Sequence, residues 1–459
     1  MARAKKETAL TPEERLQAAL VPDWEWPYKL PGNWCWTNWG ECGEFVAGSG
    51  FKNEYQGFTN YDIPFYKVSS LKTANETGYL CDNTNTVDET VRKKLKAALI
   101  PANSLLFAKI GEAIRLNRRA INTVPCCVDN NMMAFVPIIC QLKYAFYWSK
   151  GIDLYDFTNA TTVPAIRKTD LEKISFPLAP LAEQQRIVDR IESLFAKLDE
   201  AKEKAQAVVD SFETRKAAIL HKAFTGELTA KWREEHGVRM ESWEKKSVGE
   251  LCISLKYGTA KKSDASGNVV VLRMGNLQQG EIDWSDLAYS NDPDDIEKYK
   301  LFPGDVLFNR TNSAALVGKT AIYRGEHPAI YAGYLIKLDY DHDKIIGDYL
   351  NYALNTLDAK KYCNSVKTDG VNQSNINAKK IGAYSFNVPS IPEQEKIVSV
   401  IQKLLSKEQQ TKEAAEIVLD QIELMKKSIL ARAFRGELGT NDPSEESAVE
   451  LLKEIIRRG

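Results

Sequence analysis

Arginine, asparagine and glutamine carry paired hydrogen-bonding groups whose spacing matches the edges of nucleic-acid bases, Arg with guanine and Asn or Gln with adenine. Several stand beside apolar runs that read as strands, where a stiff backbone would aim them outward. Arg273 and Asn276 lie in VLRMGNL, Arg310 and Asn312 in LFNRTNS, and Lys367, Asn372 and Gln373 in VKTDGVNQSNIN. Matching places nearer the N-terminus hold Lys67, Lys109, Arg115, Arg118 and Arg119. Further basic clusters are Arg92 to Lys96, Lys360 with Lys361, and Lys379 with Lys380. Since most contacts of a nucleic-acid binder go to phosphates, any one of these residues is more often a backbone contact or solvated surface than a base reader. The set counts for more than its members. A net charge of −1 excludes a uniformly basic binder, but a protein can be basic on one face and acidic elsewhere.

Catalytic constellations are missing. Gly318-Lys319-Thr320 has the ending of a phosphate loop, yet the glycine required five residues earlier is Ser313, so a plain turn is the better reading. There is no GxGxxG, GxSxG or HExxH, and His221, His236, His327 and His342 stand without partners at ligand spacing. The cysteines at 35, 42, 81, 126, 127, 140, 252 and 363 form no CxxC, so the expectation is no metal and reduced thiols in a cytoplasmic protein. No segment approaches the roughly 18 apolar residues of a membrane span, and the charged N-terminus lacks a signal-peptide core. No catalytic residue and no cofactor are expected on this chain.

Several elements must position the polar residues, and the chain declares them by repetition. Residues 181–228 and 391–438 align without a gap at a constant offset of 210, with 21 of 48 positions identical. Each copy shows the four-three spacing of a heptad seam. The first seam runs through Ile187, Ile191, Leu194, Leu198, Val208, Phe212 and Ile219, the second through Ile397, Ile401, Leu404, Val418, Ile422 and Ile429. Gly226 and Gly436 suit helix stops, and Ser390 with Glu393 suits a capping box. The spacing predicts two helices of about 40 residues, roughly 60 Å each, running antiparallel as a rigid spacer. A heptad helix of this kind can also be a simple oligomerisation strut.

The intervening segments, 24–180 and 241–390, are short apolar and aromatic runs broken by Gly, Pro, Asn and Asp. They predict two α+β heads in which β dominates, with short helices near residues 346–361 and 87–98. Leu106 to Lys109 corresponds loosely to Leu307 to Arg310, and Tyr66-Lys67-Val68 to Leu272-Arg273-Met274. Residues 1–23 form an N-terminal extension, 229–242 a connector and 439–459 a helical tail, all outside the repeat. Near-constant helices beside divergent heads imply one shared scaffold and two different ligands.

The motif PLAPLAEQQRI, its echo VPSIPEQEKI, the endings KAFTGELTAKWR and ARAFRGEL, and the phrases GDVLFNR and VGKTAIY resemble the specificity subunit of type I restriction-modification systems. The resemblance runs over nearly the whole chain from about Trp34. It implies two target recognition domains, each reading half of a split double-stranded DNA sequence in a prokaryotic cytoplasm. It implies an antiparallel helix pair that sets their separation and docks two modification subunits, with restriction subunits joining to make the nuclease. Methyl transfer from S-adenosylmethionine, and ATP and Mg chemistry, would then belong to partners, in keeping with the absence here of the Asn-Pro-Pro-aromatic tetrapeptide of DNA amino-methyltransferases. The first head departs from the pattern, with YKVSS where the second has LRMGN. The family further implies that the termini meet, completing around the first head the connection that residues 229–242 make before the second. The competing expectation is a coiled-coil assembly protein whose heads bind other proteins.

Overall fold

A computed structural model describes residues 11–80, 82–159, 163–371 and 373–458. The chain divides into two units, one of Met1–Lys204 with Val418–Gly459 and one of Ala205–Ile417. Each unit thus holds one head together with the start of one long helix and the end of the other.

The first unit contains a four-stranded antiparallel sheet ordered Gly43–Ala47, Met132–Pro137, Leu105–Ala108, Arg119–Ile121. A three-stranded sheet follows the order Thr86–Val87, Ile63–Tyr66, Cys127–Val128, its last pair parallel. Cys35–Asn38 pairs with Ser175–Leu178. The second unit repeats this plan with Cys252–Tyr257, Leu335–Tyr340, Val306–Asn309 and Thr320–Ile322, then Tyr289–Ser290, Val269–Leu272 and Ala329–Tyr331, then Glu244–Ser247 with Ser385–Val388. The loose sequence correspondences between the heads are therefore one topology used twice.

The period of a strand explains why LLFA and VLFN lack a polar face. Leu105 and Phe107 enter the core shared with the long helices, while Leu106 and Ala108 enter a second core on the opposite side of the sheet. Val306 and Phe308 divide from Leu307 in the same way. The described cysteines are free thiols, and burial pushes Cys35 and Cys252 up to about 12.

Helices form at Glu89–Lys94, Gly347–Leu354 and Leu357–Val366, close to expectation. Leu142–Lys150 is a helix within the stretch read as β-rich. Its run YAFYWS favours strand by propensity, but Tyr144 to Ser149 are all buried, and a helix apolar on every side is stable where packing surrounds it. Its N-terminus is held by Gln184, whose Oε1 accepts from the Gln141 amide at 2.7 Å. Gln394 does the same for the Ile346 amide at 3.0 Å. The repeated glutamine of the EQ motif thus anchors the same short helix in each unit.

The central long helix spans Leu181–Asp210 and resumes at Phe212–Phe224, whereas the distal one runs unbroken over Ile391–Ala433. This corrects the expectation of two equal uninterrupted helices. Ser211 marks the irregularity: its Oγ donates to the Ala207 carbonyl, the back-bonding that bends helices, and accepts from Arg215 Nη1. In the first unit Lys202 pairs with Glu423 at 2.6 Å and Lys426 with Asp199. In the second, Arg215 pairs with Glu408 at 2.5 Å and Lys412 sits 5.1 Å from the Phe212 ring. Partner numbers fall as helix numbers rise, so the segments within each unit run antiparallel.

Ile187, Ile191, Phe212, Ile397, Ile401 and Ile422 are buried in this seam; Leu194, Leu198, Val208, Ile219, Leu404 and Ile429 are half-buried. Val418 is a correction, for it is 39% exposed beside exposed Met425. A straight helix drifts about 20° per heptad from a 3.5-residue repeat, so a strictly spaced stripe leaves the contact line.

The capping box also needs correcting. Glu393 does not return to Ser390; its carboxylate is wholly buried and accepts from Thr229 Oγ1 at 2.8 Å, Arg233 Nη1 at 2.7 Å and Trp243 Nε1 at 2.9 Å. Glu183, its counterpart, accepts from Thr440 Oγ1 at 2.8 Å and Arg186 Nη2 at 2.7 Å. In each unit a buried glutamate at the start of one long helix fastens the turn that ends the other.

Residues 11–23 and the helical tail both pack onto the first head. Ala19 and Val21 are buried, and Thr37 Oγ1 donates to the Ala19 carbonyl at 2.7 Å. The tail helix Val449–Arg458 packs beside Pro12–Ala19, Arg186 grips Glu445 at 2.8 Å, and the Ala448 amide donates to the Asn33 carbonyl at 2.9 Å. The first and last described segments of the chain meet in the first unit. Deleting residues 444–459 uncovers apolar surface around Leu452, which is 1% exposed, at about 1.5–3 kcal/mol per large side chain. Calorimetry of that deletion is expected to show one transition moved to lower temperature and the other unchanged; two unchanged transitions would refute it.

Candidate nucleic-acid interface

In both heads two of the basic residues singled out by sequence directly follow strands, Lys67 and Lys109 in the first and Arg273 and Arg310 in the second. In the second head the parallel strands Val269–Leu272 and Ala329–Tyr331 finish at the pair Leu272 and Tyr331. Arg273 comes next, its guanidinium 3.0 Å from the Asp286 carboxylate. Asn276 is a correction: it is 3% exposed, its Oδ1 accepts from the Arg273 amide at 2.8 Å, and its Nδ2 donates to the carbonyls of Asp283 and Asp286 at 2.9 and 2.8 Å. It pins the loop that presents Arg273 and has no free edge for a base. Buried Asn309 donates to the Met274 carbonyl at 3.3 Å and so ties that loop to the end of the central strand.

Arg310 follows that strand. Its guanidinium stands 4.7 Å from the Tyr257 ring and donates to the Gly333 carbonyl at 3.2 Å. Asn312 is half-buried in a small sheet of Thr311–Asn312, Ser374–Asn375 and Thr368–Asp369, where Asn375 Nδ2 donates to Thr311 Oγ1 at 2.7 Å. Lys367 Nζ donates to the Ala314 carbonyl at 2.9 Å, and Gln373 is exposed; Asn372 lies outside the described residues. Arg310, Asn312, Lys367 and Gln373 therefore converge on one loop cluster. Sequence reasoning missed Tyr257, on which Arg310 lies, and Tyr334, 47% exposed beside it. The available signal was an aromatic next to glycine after a strand-like run, in KYG and AGY.

The first head is built likewise from different residues. Lys67 follows Ile63–Tyr66 and donates to Gln56 Oε1 at 2.7 Å. Its charge faces Asp129, whose carboxyl burial raises and Lys67 partly offsets. Lys109 follows Leu105–Ala108, with its amide bonded to the Asn131 carbonyl at 2.8 Å and its side chain half-exposed. Lys67 and Lys109 thus flank the turn 129–131. A cleft of about 480 Å³ adjoins that turn at Asn130, lined also by Lys52, Tyr55 and Lys94. Lys52 and Tyr55 carried no sequence signal, because only the fold brings them beside Lys94, whose ammonium lies 5.4 Å from the Tyr55 ring.

Arg115 pairs with Glu112 at 2.9 Å and stacks 3.5 Å from the Tyr155 ring, against the turn Leu154–Phe157, while Arg118 is exposed. Arg119 is the second correction, being 5% exposed. Arg118 stands just before the strand Arg119–Ile121, every residue of which is buried. The inward guanidinium donates to Asn117 Oδ1 at 2.6 Å and to the Ser149 carbonyl at 3.2 Å, near a helix C-terminus that favours a cation. Burial pulls its pKa down to about 9. The phosphate-loop look-alike is also structural, with Gly318 at φ +91°, Lys319 bonded to Gln278 Oε1 at 2.7 Å and Thr320 opening a buried strand.

What this arrangement offers is guanidinium groups on strand ends of the second head, Arg310 beside an aromatic ring, and ammonium groups on the equivalent strand ends of the first. Among the described residues no group of three or more His, Cys, Asp or Glu could hold a metal ion, and no helix is long and apolar enough to cross a membrane.

Comparison with known proteins also finds one domain twice in the chain. The family described as "Type I restriction modification DNA specificity domain" matches twice, over residues 31–209 and 240–418. The chain is 27% identical over 325 residues to the type I restriction enzyme StySPI specificity subunit of Salmonella potsdam, covering 68% of this chain and 69% of that one. It is 28% identical over 307 residues to the EcoKI specificity subunit of Escherichia coli K12, covering 63% and 65%. The HsdS subunit from Thermoanaerobacter tengcongensis has the same fold, with a TM-score of 0.60 at 19% identity over 90% of this chain and 99% of that one. With two copies of the matched domain and a shared topology in its two heads, the chain belongs to the type I restriction-modification DNA specificity family, as a specificity subunit with two target recognition domains.

Proposed function

We propose that each head reads one half of a bipartite double-stranded DNA target, while the long helices set the spacing and carry two modification subunits, with restriction subunits joining them. The observation that carries this reading is that equivalent strand ends bear Lys67 and Lys109 in one head and Arg273 and Arg310 in the other. One scaffold aims two different sets of donors. The chain itself is non-catalytic in this scheme; S-adenosylmethionine, ATP and Mg act on the partners.

Sequencing methylated adenines in cells that express the chain with its modification subunit tests the proposal. The expected result is a split motif with a fixed gap on the order of one DNA turn, ~10 base pairs; a continuous motif would overturn it. Inserting four residues at matching points of both helices, about 6 Å at 1.5 Å per residue, is expected to lengthen the gap and leave both half-sites unchanged. An unaltered gap would show that the helices are not the ruler.

Lys109 gives a second check. Replacing Lys109 by Glu is expected to weaken binding to cognate duplexes and to unrelated ones alike, and to reduce the slope of log affinity against log salt by about 1. A loss confined to one base position would instead make it a base reader.

A further inference from the structure

The two units share a plan so closely that a difference in filling stands out. Tyr144 and Tyr349 occupy one position, each hydroxyl donating to a carbonyl of the last strand of its head, Pro177 at 2.6 Å and Asn387 at 2.9 Å. Counting along the same helix, Trp148 of the first unit corresponds to Ala353 of the second. Counting along the paired strands, Trp36 corresponds to Lys245 and Phe176 to Phe386. In the first unit both tryptophans are buried, and the Trp148 ring meets Phe176 edge to face at 4.6 Å. In the second unit Ala353 and Lys245 leave an open groove of about 830 Å³, walled by Phe224, Tyr384 and Phe386 and rimmed by Lys361 and Asp358.

We infer that this groove receives a large aromatic side chain from a modification subunit docked on the second unit, an inference that rests on the proposed function. The first unit shows what fits: an indole against the equivalent phenylalanine. The rim is suited to a flanking pair of opposite charges, since Lys361 and Asp358 are 79% and 75% exposed and only 3.8 Å apart. The two units are then unequal docking platforms. The second offers a socket that the first has filled with its own tryptophan.

The test titrates the full chain with its modification subunit and reads stoichiometry and affinity by native mass spectrometry. Ala353→Trp fills the socket from within, as Trp148 does in the first unit; Lys361→Glu changes only the exposed rim and guards against misfolding of the first variant. The expected result is that the wild type takes two subunits, that Ala353→Trp loses at least about 30-fold in affinity for one of them, as for loss of a buried aromatic anchor, and that Lys361→Glu weakens that same one. Two subunits bound with wild-type affinity by both variants would overturn the inference. If the wild type takes no modification subunit, the proposed function fails. N-acetyl-tryptophanamide then decides the socket by itself: saturable binding to the wild type and none to Ala353→Trp supports it, and equal binding or none to either refutes it.

Discussion

Replacing Glu393 by alanine is expected to destabilise the second unit by about 3–5 kcal/mol, the usual result of leaving a buried charge without its partner. Arg233, whose side chain is 10% exposed, would keep Thr229 Oγ1, the Gly226 carbonyl and the Trp243 ring 5.7 Å away, none of them an anion. Trp243 Nε1 would also lose its acceptor inside the protein. The matching Glu183→Ala change is expected to cost less, about 1–2 kcal/mol. Its arginine, Arg186, is 38% exposed and retains Glu445 through two hydrogen bonds of 2.8 Å. Urea unfolding of the two variants, followed by probes in each unit, checks the asymmetry. Equal losses would mean that the buried glutamates, rather than the exposure of their arginines, decide the energetics.

Arg310→Ala is expected to lower affinity for the half-site read by the second head by about 1–3 kcal/mol and to relax sequence preference there, while the other half-site is read as before. Arg310 is preferred over Arg273 for this role because of its surroundings. Stacking on Tyr257 fixes the plane of its guanidinium, which donates to the Gly333 carbonyl, whereas Arg273 is engaged by the Asp286 carboxylate. Binding measured against a panel of single-base substitutions separates the outcomes. A uniform loss across the panel would make Arg310 a phosphate contact. Tyr257→Phe keeps the stack and loses only the hydroxyl, which accepts from the Ala378 amide at 2.9 Å, so it serves as a control that should retain sequence preference.

Neither result could be ranked from sequence. The row of candidates there treated Arg118 and Arg119 alike, although one faces water and the other lies under a helix end. It also counted Asn276 among the candidate DNA contacts, although its amide is consumed by three backbone groups. Burial depends on which residues the sheet brings overhead, and those come from segments distant in the chain.

The sequence by itself determined the duplication, the long helices and their polarity, and the strand-like runs that end beside basic or amide residues. These are properties of local period: a four-three repeat dictates a helix face and a short apolar run a strand. It also carried the family, because the EQ and GEL motifs lie where backbone ends need specific partners, at Gln184, Gln394, Gly226 and Gly436. Only the tertiary structure decided that each unit is made from the beginning of one long helix and the end of the other, that Glu183 and Glu393 fasten those ends, and that Tyr257, Tyr334, Lys52 and Tyr55 join the candidate surfaces. It alone showed that Trp148 packs on Phe176 in one unit, while in the other an open groove lies beside Ala353 and Phe386. Such facts depend on contacts between residues far apart in sequence, and local periodicity carries no information about which distant side chain will arrive.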